Sequence, residues 1–94
     1  MTTTISPTTW VFAIIRNSGG NEQLVGFKDE SGLKYIPILK DKDSAEIFMT
    51  YMQREPGTKY EVQAIIYEDV ANYSSANHFS IYVVDKNGAI IEKI

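Results

Sequence analysis

The chain has 94 residues, of which 44% are hydrophobic and 22% charged, and its formal net charge is -3. A chain of this length builds one hydrophobic core, so two separate domains are excluded. Because cysteine is absent, disulfides and thiolate-bound zinc or iron–sulfur centres are excluded too. The nine basic residues are scattered among twelve acidic ones, and such a surface repels phosphate backbones, so we expect no nucleic-acid partner.

The first nine residues are rich in threonine and contain Pro7, which is typical of a flexible tail. We therefore predict one folded domain over residues 10–94. The apolar run from Trp10 to Ile15 is too short to span a membrane, and no basic start precedes it as in a signal peptide. We expect no membrane association and a cytoplasmic protein.

Three strands are predicted before the first helix. Residues 10–16 are apolar on both faces, which indicates a central strand. Residues 23–28 form the returning strand of a hairpin, and Gly26 within it is typical of a bulge. Residues 33–39 form the third strand. Because Pro37 cannot donate to a ladder, that strand lies at an edge or is bonded on one side at this residue.

The first helix is predicted from its capping residues. Asp43 stands at an N-cap position, and Glu46 three residues later completes a capping box, so the helix begins at Ser44. Pro56-Gly57 prevents its continuation. The buried face consists of residues that recur at helical spacing: Ala45, Phe48, Tyr51 and Met52.

A strand, a second helix and a hairpin follow. Residues 60–66 alternate in polarity as a strand does. Residues 68–77 form a helix, because the acidic residues at its start favour a helix N-terminus. Residues 79–84 and 89–94 form a β-hairpin closed by Asn87-Gly88, a pair that tolerates positive φ.

The resulting order is β-β-β-α-β-α-β-β, an α+β fold. Connections between the first three strands are too short for anything but antiparallel pairing, whereas strands that flank a helix are able to run parallel. We therefore predict a single mixed, largely antiparallel sheet of five to six strands with two helices on one face.

Two parts of the sequence, taken with the short helix between them, indicate a family. They are Tyr35-Ile36-Pro37-Ile38 with Asp43-Ser44-Ala45-Glu46-Ile47-Phe48, and the hairpin Val84-Asp85-Lys86-Asn87-Gly88-Ala89-Ile90-Ile91. Over roughly residues 10–94 the chain resembles the SseB N-terminal-like domains of bacteria. The resemblance implies a small bacterial domain with a partner-binding role and gives no catalytic residue to carry over.

The sequence contains no pattern that requires catalysis, a cofactor or a metal. His78 is the only histidine and follows Ser74 and Ser75, so a hydrolase or transferase centred on it is one alternative, but no orienting acid is evident. Asp41, Asp43 and Glu46 lack the spacing of a calcium loop. We predict that the protein is not an enzyme and that it binds no cofactor and no metal.

The aromatic residues are the better candidates for function. Two helices on one face leave the other face of the sheet open, and an open aromatic face marks a partner surface. We predict a non-enzymatic interaction or regulatory domain that forms a homodimer, or binds another protein, through this face or through an edge strand such as residues 33–39. The alternative is a small-molecule or peptide sensor that uses a tyrosine-rich face. The candidate surface residues are Trp10, Phe12, Tyr35, Tyr67 and Tyr82.

Overall fold

The computed structural model of the protein describes residues 5–18 and 20–94. The predicted α+β class and its two helices are confirmed. One strand is added to the predicted order because the segment 23–28 is divided at Val25 and Gly26. The elements are β1 (Trp10–Ser18), β2 (Asn21–Leu24), β3 (Phe27–Lys28), β4 (Lys34–Ile38), α1 (Lys42–Tyr51), β5 (Lys59–Ile66), α2 (Tyr67–Ala76), β6 (Ser80–Val84) and β7 (Ile90–Lys93).

The strands form two sheets, so the predicted single sheet is wrong. One sheet has the order β2-β1-β5, with β1 central as predicted, and the other has the order β3-β4-β6-β7. The bend at Val25 and Gly26 carries the chain from the first sheet to the second. The sheets touch at one isolated bridge, where Phe12 and Leu39 exchange two backbone hydrogen bonds of 2.9 Å.

β4 lies inside its sheet, between β3 and a parallel partner, β6. Of the two predicted alternatives, the edge position is wrong, and the other, a strand bonded on one side at Pro37, agrees with the pairing. Alternate residues of a strand direct their backbone groups to the same edge. The Leu39 N–H donates towards β1, so the Pro37 nitrogen faces the same side of the strand. On that side β3 pairs only with Lys34 and Tyr35, so Pro37 lies beyond its end.

The helices pack in different cores, so their predicted position on one face is wrong as well. Successive residues of β4 and β6 alternate between the two cores, as the pleat of a strand requires. The α1 core contains Ile14, Val25, Tyr35, Leu39, Ala45, Phe48, Tyr82 and Val84. The α2 core contains Val11, Ile36, Ile38, Tyr67, Val70, Ile81 and Val83.

The N-cap of α1 is Asp41, not Asp43. Asp41 has an extended backbone, and its carboxylate accepts hydrogen bonds from the Ser44 amide at 2.7 Å and the Ser44 hydroxyl at 3.0 Å. The side chain of Glu46 lies 3.9 Å from that of Lys42 instead of reaching back in a capping box. The helix therefore begins earlier, and Tyr51 is exposed whereas Ala45 and Phe48 are buried as predicted.

The first described residues dock on the start of α2. This helix has no side-chain cap, but its first two amides, on Tyr67 and Glu68, donate to the carbonyls of Thr9 and Pro7 at 2.8 and 3.0 Å. Ile5 packs against the α2 core. Residues 1–4 of the predicted tail lie outside the described residues, and residues 5–9 satisfy the amides at this helix terminus.

α2 ends in a Schellman motif with His78 at its left-handed position, where φ is 62°. The Phe79 amide donates to the Ser74 carbonyl at 2.8 Å, which is the bond that defines this motif. The ring of Phe79 lies parallel to that of Tyr73, with their centroids 6.3 Å apart. His78 is thus a helix-terminal residue on the surface, in a conformation that costs a side-chain-bearing residue free energy.

Replacing His78 with glycine is expected to stabilise the protein by about 1 kcal/mol, because glycine adopts positive φ without steric cost. Tm is expected to rise by roughly 4–8 °C in a thermal unfolding experiment. His78→Asn is the milder control and is expected to change stability in the same direction by less. A lower Tm for His78→Gly would contradict the assignment of this residue to the left-handed position.

Candidate functional site

The structure does not bring the five predicted aromatic residues together on one exposed face. Trp10 is 59% exposed, at the start of β1, and Phe12 is half-buried. Tyr35 and Tyr82 are buried in the α1 core, and Tyr67 is buried in the α2 core. Side chains on both faces of β4 and β6 point into one of the two cores, so the tyrosines of these strands are core residues. Only Trp10 of this set is available to a partner in the structure as it stands.

Tyr82 and Tyr35 form a stacked pair around Asp29. Their ring centroids are 4.6 Å apart, and the Tyr82 hydroxyl donates to Asp29 Oδ2 at 3.0 Å. Asp29 Oδ1 also accepts from the Ser31 hydroxyl at 2.6 Å and from the Leu33 amide at 3.0 Å. These hydrogen bonds lower the pKa of Asp29 to about 2, and the bond from the Ser31 hydroxyl has the largest effect. Burial raises the pKa of Tyr82, and the bond to Asp29 raises it further. The cluster fixes the β3–β4 turn against β6.

This depressed pKa makes stability depend on pH in acid. An unfolded aspartate has a pKa of about 3.9, so the bonds to Asp29 stabilise the folded state above that value and are lost as the pH falls towards the folded value of about 2. We expect the Asp29 carboxyl carbon to titrate near pH 2 by NMR. In Tyr82→Phe one donor is missing, so the midpoint should move upward. A midpoint near pH 4 in the unaltered protein would contradict the geometry.

His78 and the serines near it do not form a catalytic pair. His78 is exposed, whereas Ser74 is buried and its hydroxyl has no hydrogen-bond partner among the described residues. Within that same part of the chain, no group of three or more histidine, aspartate or glutamate residues is placed to hold a metal ion.

β5 presents the longest free strand edge. It is an eight-residue strand that pairs with β1 in unbroken register from Lys59 to Ile66, and it has no second ladder among the described residues. The β5 residues opposite Val11, Ala13 and Ile15 direct their backbone groups to β1. The backbone groups of the β5 residues between them therefore face outward. These outward residues are Tyr60, Val62, Ala64 and Ile66. The amides and carbonyls of Tyr60, Val62 and Ala64 make no backbone hydrogen bond outside the β1 ladder in residues 5–18 and 20–94, whereas Ile66 is also the N-cap of α2, a position whose carbonyl accepts the first bond of the helix.

β7, the edge strand of the four-stranded sheet, is better protected against pairing with another chain. It has four residues, and its register with β6 shifts between Val83 and Val84, which leaves Ile91 opposite no residue. Short length, a bulge and a lysine such as Lys93 are features that keep edge strands from pairing with other chains. The exposed side chains of Ile90 and Ile91 thus stand beside an irregular edge.

A groove of about 720 Å³ lies at the junction of the two sheets. Its floor is the edge of residues 23–27, where β2 passes into β3. One wall comes from the last turn of α2, its C-cap and the second residue after the cap: Tyr73, Asn77 and Phe79. The other wall comes from β1, β5 and the loop between α1 and β5: Arg16, Met52, Gln53, Arg54, Glu55 and Tyr60.

Sequence reasoning did not identify this groove, although Gly26 was a signal for it. A Cβ atom on Gly26 would lie against the Phe79 ring, 2.9 Å from Cζ, so the backbone and the ring are in direct contact. A glycine inside a strand pattern often marks such a close approach. The residue that approaches is far away in the sequence, and local patterning does not name it.

No described helix is both long enough and apolar enough to cross a lipid bilayer. Comparison of the chain with protein-family models, with curated proteins and with solved structures gives no significant match.

Proposed function

We propose that the protein is a non-enzymatic interaction domain that forms a homodimer by pairing the β5 edges of two copies. The observation that supports the proposal is the length and regularity of this edge: eight residues, one regular ladder on one side and none on the other. Long, regular edges of this kind pair with other strands unless a bulge, a proline or inward charges prevent it. β5 contains no bulge and no proline, and its charged residues, Lys59 and Glu61, lie at the positions that bond to β1.

A twofold axis through Gln63 gives the fullest antiparallel register. In this arrangement Val62 of one copy pairs with Ala64 of the other, and the three-stranded sheets join into one six-stranded sheet. Glu61 then faces Ile65 of the second copy, so no two like charges are opposed across the axis. The interface is self-complementary, as a twofold dimer requires.

Sedimentation equilibrium over a wide concentration range tests this proposal. We expect the mass to approach twice that of one chain as the concentration rises. Ala64→Pro removes one outward amide while leaving the β1 ladder in place, because Ala64 lies opposite Phe12 at a position that does not bond to β1. We expect this variant to remain monomeric.

The control is Ala64→Val, which keeps the amide and suits a strand. It is expected to dimerise like the unaltered protein. Hydrogen exchange gives a second measurement that needs no variant: the amides of Tyr60, Val62, Ala64 and Ile66 should exchange more slowly in concentrated than in dilute samples. A strict monomer at the highest concentration, or an Ala64→Pro variant that folds and still dimerises, would overturn the proposal.

A further inference from the structure

The floor of the groove is a second strand edge with unpaired backbone groups. The Val25 amide donates to the Ile14 carbonyl at 2.9 Å, so Val25 faces β1. Its neighbours, Leu24 and Gly26, direct their amides and carbonyls the other way, into the groove. Gly26 makes no backbone hydrogen bond within the described part of the chain. The groove therefore offers backbone hydrogen-bond donors and acceptors to which a further strand could pair.

The two walls of the groove stand on opposite faces of this edge and differ in chemistry. Phe79 and Tyr73 give one wall two parallel aromatic rings. The other wall carries two guanidinium groups: Arg16, whose side chain lies 3.5 Å from Glu55, and Arg54, which donates to the Met49 carbonyl at 3.1 Å. With two cations and one anion this wall is positive, in a chain whose net charge is -3.

An extended peptide laid along such an edge presents its side chains alternately to the two walls. Residues on one side would meet the aromatic rings and residues on the other side the guanidinium groups. Aromatic or aliphatic side chains suit the first wall, and carboxylates suit the second, because arginine pairs with carboxylates through its forked donors.

We propose that the groove binds an extended peptide segment with alternating apolar and acidic residues, which adds to the Leu24–Gly26 edge as a further strand. The volume of about 720 Å³ lies within the range of ligand sites. The proposal does not require dimerisation, because the backbone edge that it uses belongs to β2 and the bend after it, on the far side of β1 from β5.

The probe is an acetylated and amidated heptapeptide with glutamate at odd positions and phenylalanine at even positions. We expect saturable binding by calorimetry. At saturation the amides of Leu24 and Gly26 should exchange with deuterium at least tenfold more slowly than in the free protein. A fully N-methylated peptide has the same side chains but no amide donor, so it should bind at least tenfold more weakly.

Arg54→Glu reverses one charge of the positive wall at an exposed residue and is expected to weaken binding at least tenfold. Lys86→Glu makes the same charge change in the β6–β7 turn, outside the groove, and should leave the affinity within twofold of that of the unaltered protein. The monomeric Ala64→Pro variant should bind the peptide fully, which separates this proposal from that of dimerisation.

Three results would overturn the proposal. One is the absence of binding by the alternating peptide. Another is equal binding of its N-methylated form, which would show that side chains alone are recognised. The third is protection of amides elsewhere, such as those of β7, with no change at Leu24 and Gly26.

Discussion

Ile38→Ala is expected to lower the free energy of unfolding by about 4 kcal/mol, the largest effect of any single substitution considered for this chain. Ile38 is 0% exposed and lies at the end of β4, inside its sheet, with Val83 beside it on β6. Its side chain packs in the α2 core with Val11 and Val70. The loss combines the transfer of the removed methylene and methyl groups to water with the cavity they leave.

The cost is high because Ile38 lies where several elements meet. The next residue, Leu39, forms the bridge to Phe12 that joins the two sheets. The backbone around the cavity is thus held by hydrogen bonds on both sides and has little freedom to collapse into the space. A domain of this size has a total stability of roughly 5–15 kcal/mol, so the variant should lose at least about a quarter of it.

Urea unfolding measures the effect as a lower midpoint with an unchanged slope. Ile47→Ala is the matched control, since it makes the same deletion at a position on α1 that is 38% exposed. We expect this control to change stability by less than about 0.5 kcal/mol. Equal losses at both positions would show that the buried position assigned to Ile38 is wrong.

Local chemistry predicted those parts of the fold that local contacts build. The β6–β7 hairpin follows from its turn residues: Asp85 accepts hydrogen bonds from the amides of Asn87 and Ala89, and Gly88 has a φ of 84°. The strand pattern of β1 was sufficient for the same reason, and the apolar spacing of α1 predicted the helix and the burial of Ala45 and Phe48 but not the exposure of Tyr51. The N-cap was predicted wrongly, because Asp43 with Glu46 fits the capping-box pattern but the cap that forms is Asp41.

The two-sheet arrangement and the groove depend on contacts between distant residues. The division of one predicted strand into β2 and β3 occurs at Gly26, where the Phe79 ring lies against the backbone. The burial of Tyr35 and Tyr82 follows from the presence of a core on each side of β4 and β6, which strand alternation alone does not reveal. The sequence predicted β5 as a strand. It did not predict that β5 would be an edge strand, because that depends on the order of the strands in the sheet.

Gly26→Ala is expected to destabilise the protein by about 3 kcal/mol, because the new methyl group would overlap the Phe79 ring. The backbone φ of Gly26 is not in the left-handed region, so the cost arises from the contact alone. Phe79 has little room to move away, since its ring is stacked on Tyr73 and its amide is bonded to the Ser74 carbonyl.

Gly57→Ala separates this effect from backbone strain. Gly57 has a φ of 80° with open space around its Cα, so its replacement costs only the roughly 1 kcal/mol of a left-handed residue. In the double variant Gly26→Ala with Phe79→Ala the overlap is gone, and the loss should be smaller than the sum of the two single losses by at least about 1 kcal/mol. Additive losses in urea unfolding would mean that Phe79 does not rest on Gly26. Phe79 would then not form the aromatic wall of the groove at Gly26.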